Sequence, residues 1–399
     1  MLTKSRGLAR APLARIDDLL RDQAARREVA GAVGLIAHGD TVHVASAGVQ
    51  DLASAVPMRR DTIFRIASMT KPITAAAAMM LVDEGRVALD DPVERWLPEL
   101  ADRRVLRAIE RPLDDTVPAA RPITLHDLMT FTFGLGAVMA KPGSFPIQSA
   151  MSELGVAPGP EQVAVAPDEY MRRIGTLPLM HQPGEKWMYH TGADVLAVLI
   201  VRIAAKPLDD VLRDRIFAPL GMRDTGFHVP AAAIDRLATC YGRDDAGALQ
   251  VWDPARGGQY AQPPVFPSEL VSTADDFLGF ARMLLRNGAH AGGRLLAPKS
   301  AALMMTDHLT AEQKAASPFF PGFWDTKGWG FGGAVVTRRD PTGAHPGSYG
   351  WAGGFGTNFI VDPAADLVAI LLVQRLMRGP NDMALNEEFL TLASEAIED

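Results

Sequence analysis

Ser68 and Lys71 stand three residues apart in Phe64-Arg65-Ile66-Ala67-Ser68-Met69-Thr70-Lys71-Pro72, where a short apolar run passes into an alanine- and methionine-rich segment of helical character. Residues i and i+3 share one face of a helix, which brings a serine hydroxyl within hydrogen-bond reach of a lysine amine. A serine hydroxyl is a weak nucleophile at neutral pH until a neighbouring base takes its proton. A lysine buried near a helix N-terminus can be that base, because burial and the helix dipole both oppose its positive charge. No other lysine in the chain has a serine three residues before it. The spacing alone arises by chance in long chains, so its meaning depends on its company.

Two stretches supply that company. Gln182-Pro183-Gly184-Glu185-Lys186-Trp187-Met188-Tyr189-His190-Thr191 delivers Tyr189 from a turn just ahead of a helix expected to begin near Gly192. A tyrosine held beside a lysine ammonium can shuttle the serine proton. In Gly350-Trp351-Ala352-Gly353-Gly354-Phe355-Gly356, successive glycines let the backbone approach a substrate closely and present N–H groups to it. One such N–H, paired with that of Ser68, would make an oxyanion hole.

Other hydrolytic chemistries fare worse. There is no Gly-x-Ser-x-Gly elbow, and Gly347-Ser348-Tyr349-Gly350 has only one correctly placed glycine. No His-x-x-x-His or His-Glu-x-x-His spacing occurs, so no metal site is expected. Asp194 reads as charge at a helix N-terminus, His181 and His345 as structural or surface residues, and Cys240 as a small core residue.

The whole chain is 399 residues, 48% hydrophobic and 22% charged, ample for a large enzyme core. Net charge is −7 and no Lys/Arg-rich run carries interleaved aromatics, which argues against a nucleic-acid partner. No apolar run approaches a membrane span, and Met1 to Arg27 lacks the apolar stretch and Ala-x-Ala site of a secretory signal. A cytoplasmic location is therefore expected. A single cysteine excludes an intramolecular disulfide.

The elements that must position these residues follow from periodicity. Leu13, Ile16, Leu19 and Leu20 predict an amphipathic helix over 12–27. Residues 31–38 and 41–48, split by Gly39-Asp40, predict a hairpin. The segment from Lys71 to about Glu84 predicts a buried central helix. Residues 100–180 hold much of the Pro and Gly and predict short helices with long loops, and helical patterns return over 193–205 and 208–216. Residues 240–267 read as loop, and Ser272-Thr273-Ala274-Asp275-Asp276 as an N-cap leading into a helix. Strands are expected over 334–337, 356–361 and 367–373, with a closing helix over 381–398. Strands at both ends with helices between imply an antiparallel sheet built from both ends of the chain. The expected division is an α/β lobe of about 12–90 and 270–399, and a mostly helical lobe of about 91–269.

Phe-Arg-x-x-Ser-x-Thr-Lys-Pro, the Pro-Gly…Trp-x-Tyr stretch, Leu-Gly-Met-x-Asp-Thr over 220–225, Ser-Thr-Ala-Asp-Asp and the late Gly-rich strand together resemble the serine β-lactamase/penicillin-binding superfamily, over roughly residues 12 to 396. The chain is most similar to its class C-like members, especially the β-lactamase-fold carboxylesterases called family VIII. The resemblance implies a β-lactamase/transpeptidase-like fold with no cofactor. It implies Ser68 as the acylated nucleophile, Lys71 and Tyr189 sharing the acid–base work, and the N–H groups of Ser68 and Gly354 holding the oxyanion. Departures from the β-lactamase pattern point toward esters. Tyr189-His190-Thr191 replaces Tyr-x-Asn, Trp351-Ala352-Gly353 replaces Lys-Thr-Gly, and Phe131-Thr132-Phe133-Gly134-Leu135 is more apolar than the usual His-Thr-Ser-Gly-Leu. Trp351, Gly353, Phe133, His190 and Thr191 are accordingly the expected substrate-binding residues, with His190 given no part in proton transfer. The expected activity is hydrolysis of short-chain carboxylic esters through a Ser68 acyl-enzyme. The alternatives are an acyltransferase of the same fold, which passes the acyl group to an alcohol or amine, and a β-lactamase or D-peptidase.

Overall fold

Two strands without a solvent-facing side fix the centre of the molecule. In the computed structural model, which describes residues 7–397, β1 (Gly31–His38) and the late strand Leu367–Val373 are paired neighbours buried on both faces. Their register sets Leu35 against Ile370 and Val33 against Leu372. Because side chains alternate across a pleat, Val33, Leu35, Val368 and Ile370 feed one core, while Ala32, Ile36, Ala369 and Leu371 feed another on the opposite face. β2 (Thr41–Gly48) returns from β1 through Gly39, whose φ of +56° is the left-handed conformation a two-residue turn requires. The sequence expectation of a hairpin here matches residue for residue.

Short β3 (Phe64–Ala67) and β4 (Leu270–Ser272) pair with each other outside this sheet. β5 (Lys327–Trp329), β6 (Ala334–Val336), β7 (Tyr349–Ala352), β8 (Asn358–Asp362) and β9 (Leu367–Val373) complete it in the order β5-β6-β7-β8-β9-β1-β2, antiparallel throughout. Strands from both ends of the chain thus share one sheet. Helices α1 (Arg10–Ala25) and the closing helix Ala384–Glu395 cover one face through Ile16, Leu20, Phe389 and Leu392. Gly34 is glycine because a Cβ there would stand 2.7 Å from the Phe389 ring. α2 (Thr70–Asp83) and α3 (Thr191–Ala204) pack on each other, and α4 (Ala274–Leu285) covers the other face, packing Phe277 against Phe359 of β8. α4 starts where the sequence placed its N-cap, with the Thr273 side chain accepting from the Asp276 amide at 3.2 Å.

Three local readings change. Residues 240–267 hold a hairpin, Cys240–Arg243 with Leu249–Asp253, although Gly, Pro and Asp dominate the segment. The helix expected over 208–216 is α-helical only over Leu208–Leu212 and then widens into a π-helical turn over Arg213–Phe217. The sheet also holds two late strands beyond the three expected, Lys327–Trp329 and Tyr349–Ala352, because Lys327, Gly328 and Gly350 join the ladder through backbone groups that no side-chain pattern reveals.

Candidate active site

β3 is held at its back by Arg65, a fully buried guanidinium. It donates to Asp253 at 2.7 Å, to the Ala238 carbonyl at 2.6 Å and to the Pro254 carbonyl at 3.1 Å. Gln374 completes the clamp by bonding both the amide and the carbonyl of Arg65. A buried charge with this many partners is stable only while all of them stay in place, so the strand leading to Ser68 is rigidly anchored. The pairing of β3 with β4 then slips at Ile66, a bulge, and Ala67 takes φ +46°. Bulges re-aim side chains beside functional sites, and a non-glycine residue held in this region costs about 1–3 kcal/mol. The bent chain brings Ser68 to the wall of a cleft two residues before α2 begins.

α2 places Lys71 one turn on, and its Nζ donates to Ser68 Oγ at 2.9 Å. Both side chains are buried, with 8% and 5% exposure, so water does not compete for that bond. Tyr189 reaches the same place from the other side. Its ring lies with its centroid 5.3 Å from Lys71 Nζ, and its hydroxyl accepts a 2.6 Å hydrogen bond from Trp351 Nε1. The residue after Tyr189, His190, also has positive φ, +85°, so strained backbone flanks both the serine and the tyrosine. The tyrosine ring is boxed by Trp187 at 5.7 Å, Phe319 at 5.8 Å and Trp351 at 5.5 Å between centroids.

Gly353 and Gly354 follow β7 along the cleft. A Cβ on Gly353 would meet the Ile66 carbonyl at 2.3 Å and Thr357 Oγ1 at 2.2 Å, so only glycine lets this turn close against β3. A Cβ on Gly354 would meet nothing within 4 Å. The Gly353 amide is engaged with the Thr357 carbonyl at 2.8 Å, while neither the Ser68 nor the Gly354 amide donates to a backbone carbonyl among the described residues.

Ser68, Lys71, Tyr189, His190, Trp351, Gly353 and Gly354 therefore come together. Two expected substrate contacts do not. Phe133 is wholly buried in the main hydrophobic core, and Thr191 is wholly buried at the start of α3. Apolar character drew Phe133 inward, and the first helical turn after His190 rotates Thr191 away from the cleft. Asp194 is buried too; it accepts from Tyr170 Oη at 3.3 Å and lies 3.4 Å from His190 Nε2, so it ties down the residue beside Tyr189. Among the described residues no group of three His, Cys, Asp or Glu side chains is arranged to hold a metal ion, and no helix is long and apolar enough to cross a membrane.

Sequence reasoning passed over Glu269. It sits one residue before β4 on the cleft wall, half-buried, and burial pushes its carboxyl up from the ordinary range, opposed by the positive charges of Lys71 and His190. The only local signal was an acidic residue ahead of the apolar pair Leu270-Val271. Phe319, Phe320 and Phe323 were missed as well; they form the aromatic side of the cleft, whose volume is about 920 Å³.

A family model described as Beta-lactamase matches residues 16–391. The chain belongs to the β-lactamase family. Esterase EstB of Burkholderia gladioli is 32% identical over 403 residues, covering 94% of this chain and 95% of that protein. Protein Rv1367c of Mycobacterium tuberculosis is 42% identical over 370 residues, covering 88% and 89%. Among solved structures, EstCE1, described as a hydrolase with promiscuous acyltransferase activity, superposes with a TM-score of 0.79 at 27% identity, covering 96% of this chain and 99% of that one. The fold is that of the β-lactamase/transpeptidase-like proteins, as the sequence resemblance implied.

Proposed function

We propose that this β-lactamase-family protein is a serine carboxylesterase that works through a Ser68 acyl-enzyme. The observation that carries the reading is the buried 2.9 Å bond between Lys71 Nζ and Ser68 Oγ in a cleft whose facing strand presents Trp351 rather than a cation. Lys71, or Lys71 with Tyr189, takes the serine proton as Oγ attacks the ester carbonyl. The free amides of Ser68 and Gly354 are the donors for the oxyanion that forms. Tyr189 returns the proton to the departing alcohol, and water then repeats the cycle on the acyl-enzyme. The Trp351 indole N–H can only donate, so it is suited to stabilise the tyrosine oxygen while that oxygen carries negative charge.

The charges around the cleft favour an ester over a β-lactam or a peptide carboxylate. Lys327, the other lysine on the wall, lies 3.6 Å from Asp340 and is spoken for. The esterase relative supports the same choice. The cleft volume, about 920 Å³, admits short-chain esters and also bulkier alcohols, since drug-sized ligands occupy clefts of roughly 300–1,000 Å³. That space, with the acyltransferase activity in the EstCE1 description, supports a second reading: an alcohol or amine acceptor replaces water in the second half of the cycle.

The test compares p-nitrophenyl esters of short acids with a chromogenic cephalosporin, using the wild type and Lys71→Ala. Ester turnover should exceed cephalosporin opening, and Lys71→Ala should lower kcat by at least ~100-fold, the lower range for a lost general base. Cephalosporin turnover above ester turnover, or a nearly active Lys71→Ala, would overturn the reading. A stable acyl adduct released only by added alcohol or amine would favour the transferase.

A further inference from the structure

The two walls of the cleft differ in chemistry. The rings of Phe319, Phe320, Phe323 and Trp351 pack on one another along one stretch of it, and His190 and Glu269 bring polar groups to the same cleft. The antiparallel register ends on the pair Ala67 and Leu270, so Ser68 and Glu269 are the residues that flank that end of the ladder, and both line the cleft. A bond from the Leu270 amide to Thr70 Oγ1 at 2.9 Å holds this alignment against the start of α2.

Glu269 has little to do within the protein itself. Its hydrogen bond from Tyr260 Oη is a long one, 3.5 Å. Among the described residues no Lys, Arg or His nitrogen lies within ion-pair distance of its carboxylate: Lys71 donates to Ser68, and His190 lies by Asp194. A half-buried carboxylate without a close partner is costly, and the cost falls when a ligand brings a cation.

Which part of the ester meets this wall follows from the proton path. The leaving oxygen must lie beside Tyr189 Oη, and that hydroxyl is bonded to Trp351 on the aromatic side. The alcohol portion therefore runs along the aromatic wall, and the acyl portion along the wall that carries Glu269. We infer that Glu269 is a specificity-determining residue that makes the enzyme prefer esters whose acyl chain ends in a cationic, ammonium-type group. The inference rests on the esterase reading, and it names the substrate class of that same site.

Two probes isolate the charge: p-nitrophenyl 4-(trimethylammonio)butyrate and its uncharged isostere, p-nitrophenyl 5,5-dimethylhexanoate. The wild type should prefer the cationic ester in kcat/KM by roughly tenfold or more, the factor expected for one partly desolvated ion pair. Glu269→Gln should bring the ratio near one, and added salt should erode the preference only in the wild type. Because each ratio is taken within one protein, a partly misfolded variant does not mimic the effect. A wild-type ratio at or below one, or an unchanged ratio in Glu269→Gln, overturns the inference. So does a Glu269→Gln protein that acylates normally and then stalls, since the carboxylate would then be acting on the deacylating water. If the wild type turns over neither ester, the esterase reading fails by itself. The binding preference of Ser68→Ala for the two esters, measured by calorimetry, still decides the role of Glu269.

Discussion

Trp351→Phe removes one hydrogen bond and keeps the ring. The wild-type indole N–H lies 2.6 Å from Tyr189 Oη, and the indole packs at 4.6 Å against Trp329 and 5.5 Å against Tyr189. A phenyl group preserves most of that packing. With Tyr189 neutral, the lost bond is worth about 0.5–1.5 kcal/mol; with the oxygen charged, as the proton shuttle requires in the transition state, it is worth about 1.5–3 kcal/mol. Only the difference, about 1–1.5 kcal/mol, slows the chemical step, which corresponds to a roughly 5- to 13-fold fall in kcat. KM for a short neutral ester should barely move, because the ring remains. The assay is steady-state hydrolysis of a p-nitrophenyl ester, with pre-steady-state bursts to separate acylation from deacylation. Unchanged kcat with raised KM would refute the reasoning, since Trp351 would then be a substrate wall and nothing more.

Gly353→Ala should be destabilising by about 1–3 kcal/mol, the range for overpacking, because its Cβ has no room beside the Ile66 carbonyl. Gly354→Ala, whose Cβ enters open space, should melt like the wild type; equal melting of the two variants would contradict that geometry. Asp253→Ala strips the buried Arg65 of its ion pair and should cost about 3–5 kcal/mol in denaturant unfolding, and a loss within error would show that the backbone carbonyls suffice. Burial pushes the Cys240 thiol up from 9 to about 12. A group whose pKa is raised on folding stabilises fully below its unfolded value, and that contribution is lost as pH climbs toward the folded one. Between pH 9 and about 12, wild-type stability should therefore fall more steeply than that of Cys240→Ala; parallel curves would contradict it.

The parts of the site that lie close together in sequence were legible before the structure. Ser68 and Lys71 share a helical turn, Thr273 caps α4 through its own side chain, and the β1–β2 hairpin carries its turn in Gly39-Asp40. Each is a local geometry that residue types and spacing dictate. What the sequence left open depends on distant pairing. Nothing near Glu269 says that β4 will lie against β3, or that Glu269 and Ser68 will flank the end of that ladder. Trp351 was readable as a bulky ring, yet its bond to Tyr189 requires two segments 162 residues apart to meet. Phe133 and Thr191 show the converse: neighbours of a functional motif in sequence, they lie in the core, Phe133 drawn in by its apolar ring and Thr191 turned in by the first turn of α3. The aromatic wall at Phe319, Phe320 and Phe323 is invisible for a similar reason, since a loop and a one-turn helix have no periodicity to say which way their rings point.

The most direct test of the central claim is intact-mass spectrometry during turnover of a short-chain p-nitrophenyl ester, with peptide mapping of any adduct. The Ser68 mechanism predicts a burst of p-nitrophenol matched by a transient acyl adduct on Ser68, and neither burst nor adduct in Ser68→Ala. Turnover by Ser68→Ala at the wild-type rate, or an adduct on a different residue, would contradict it.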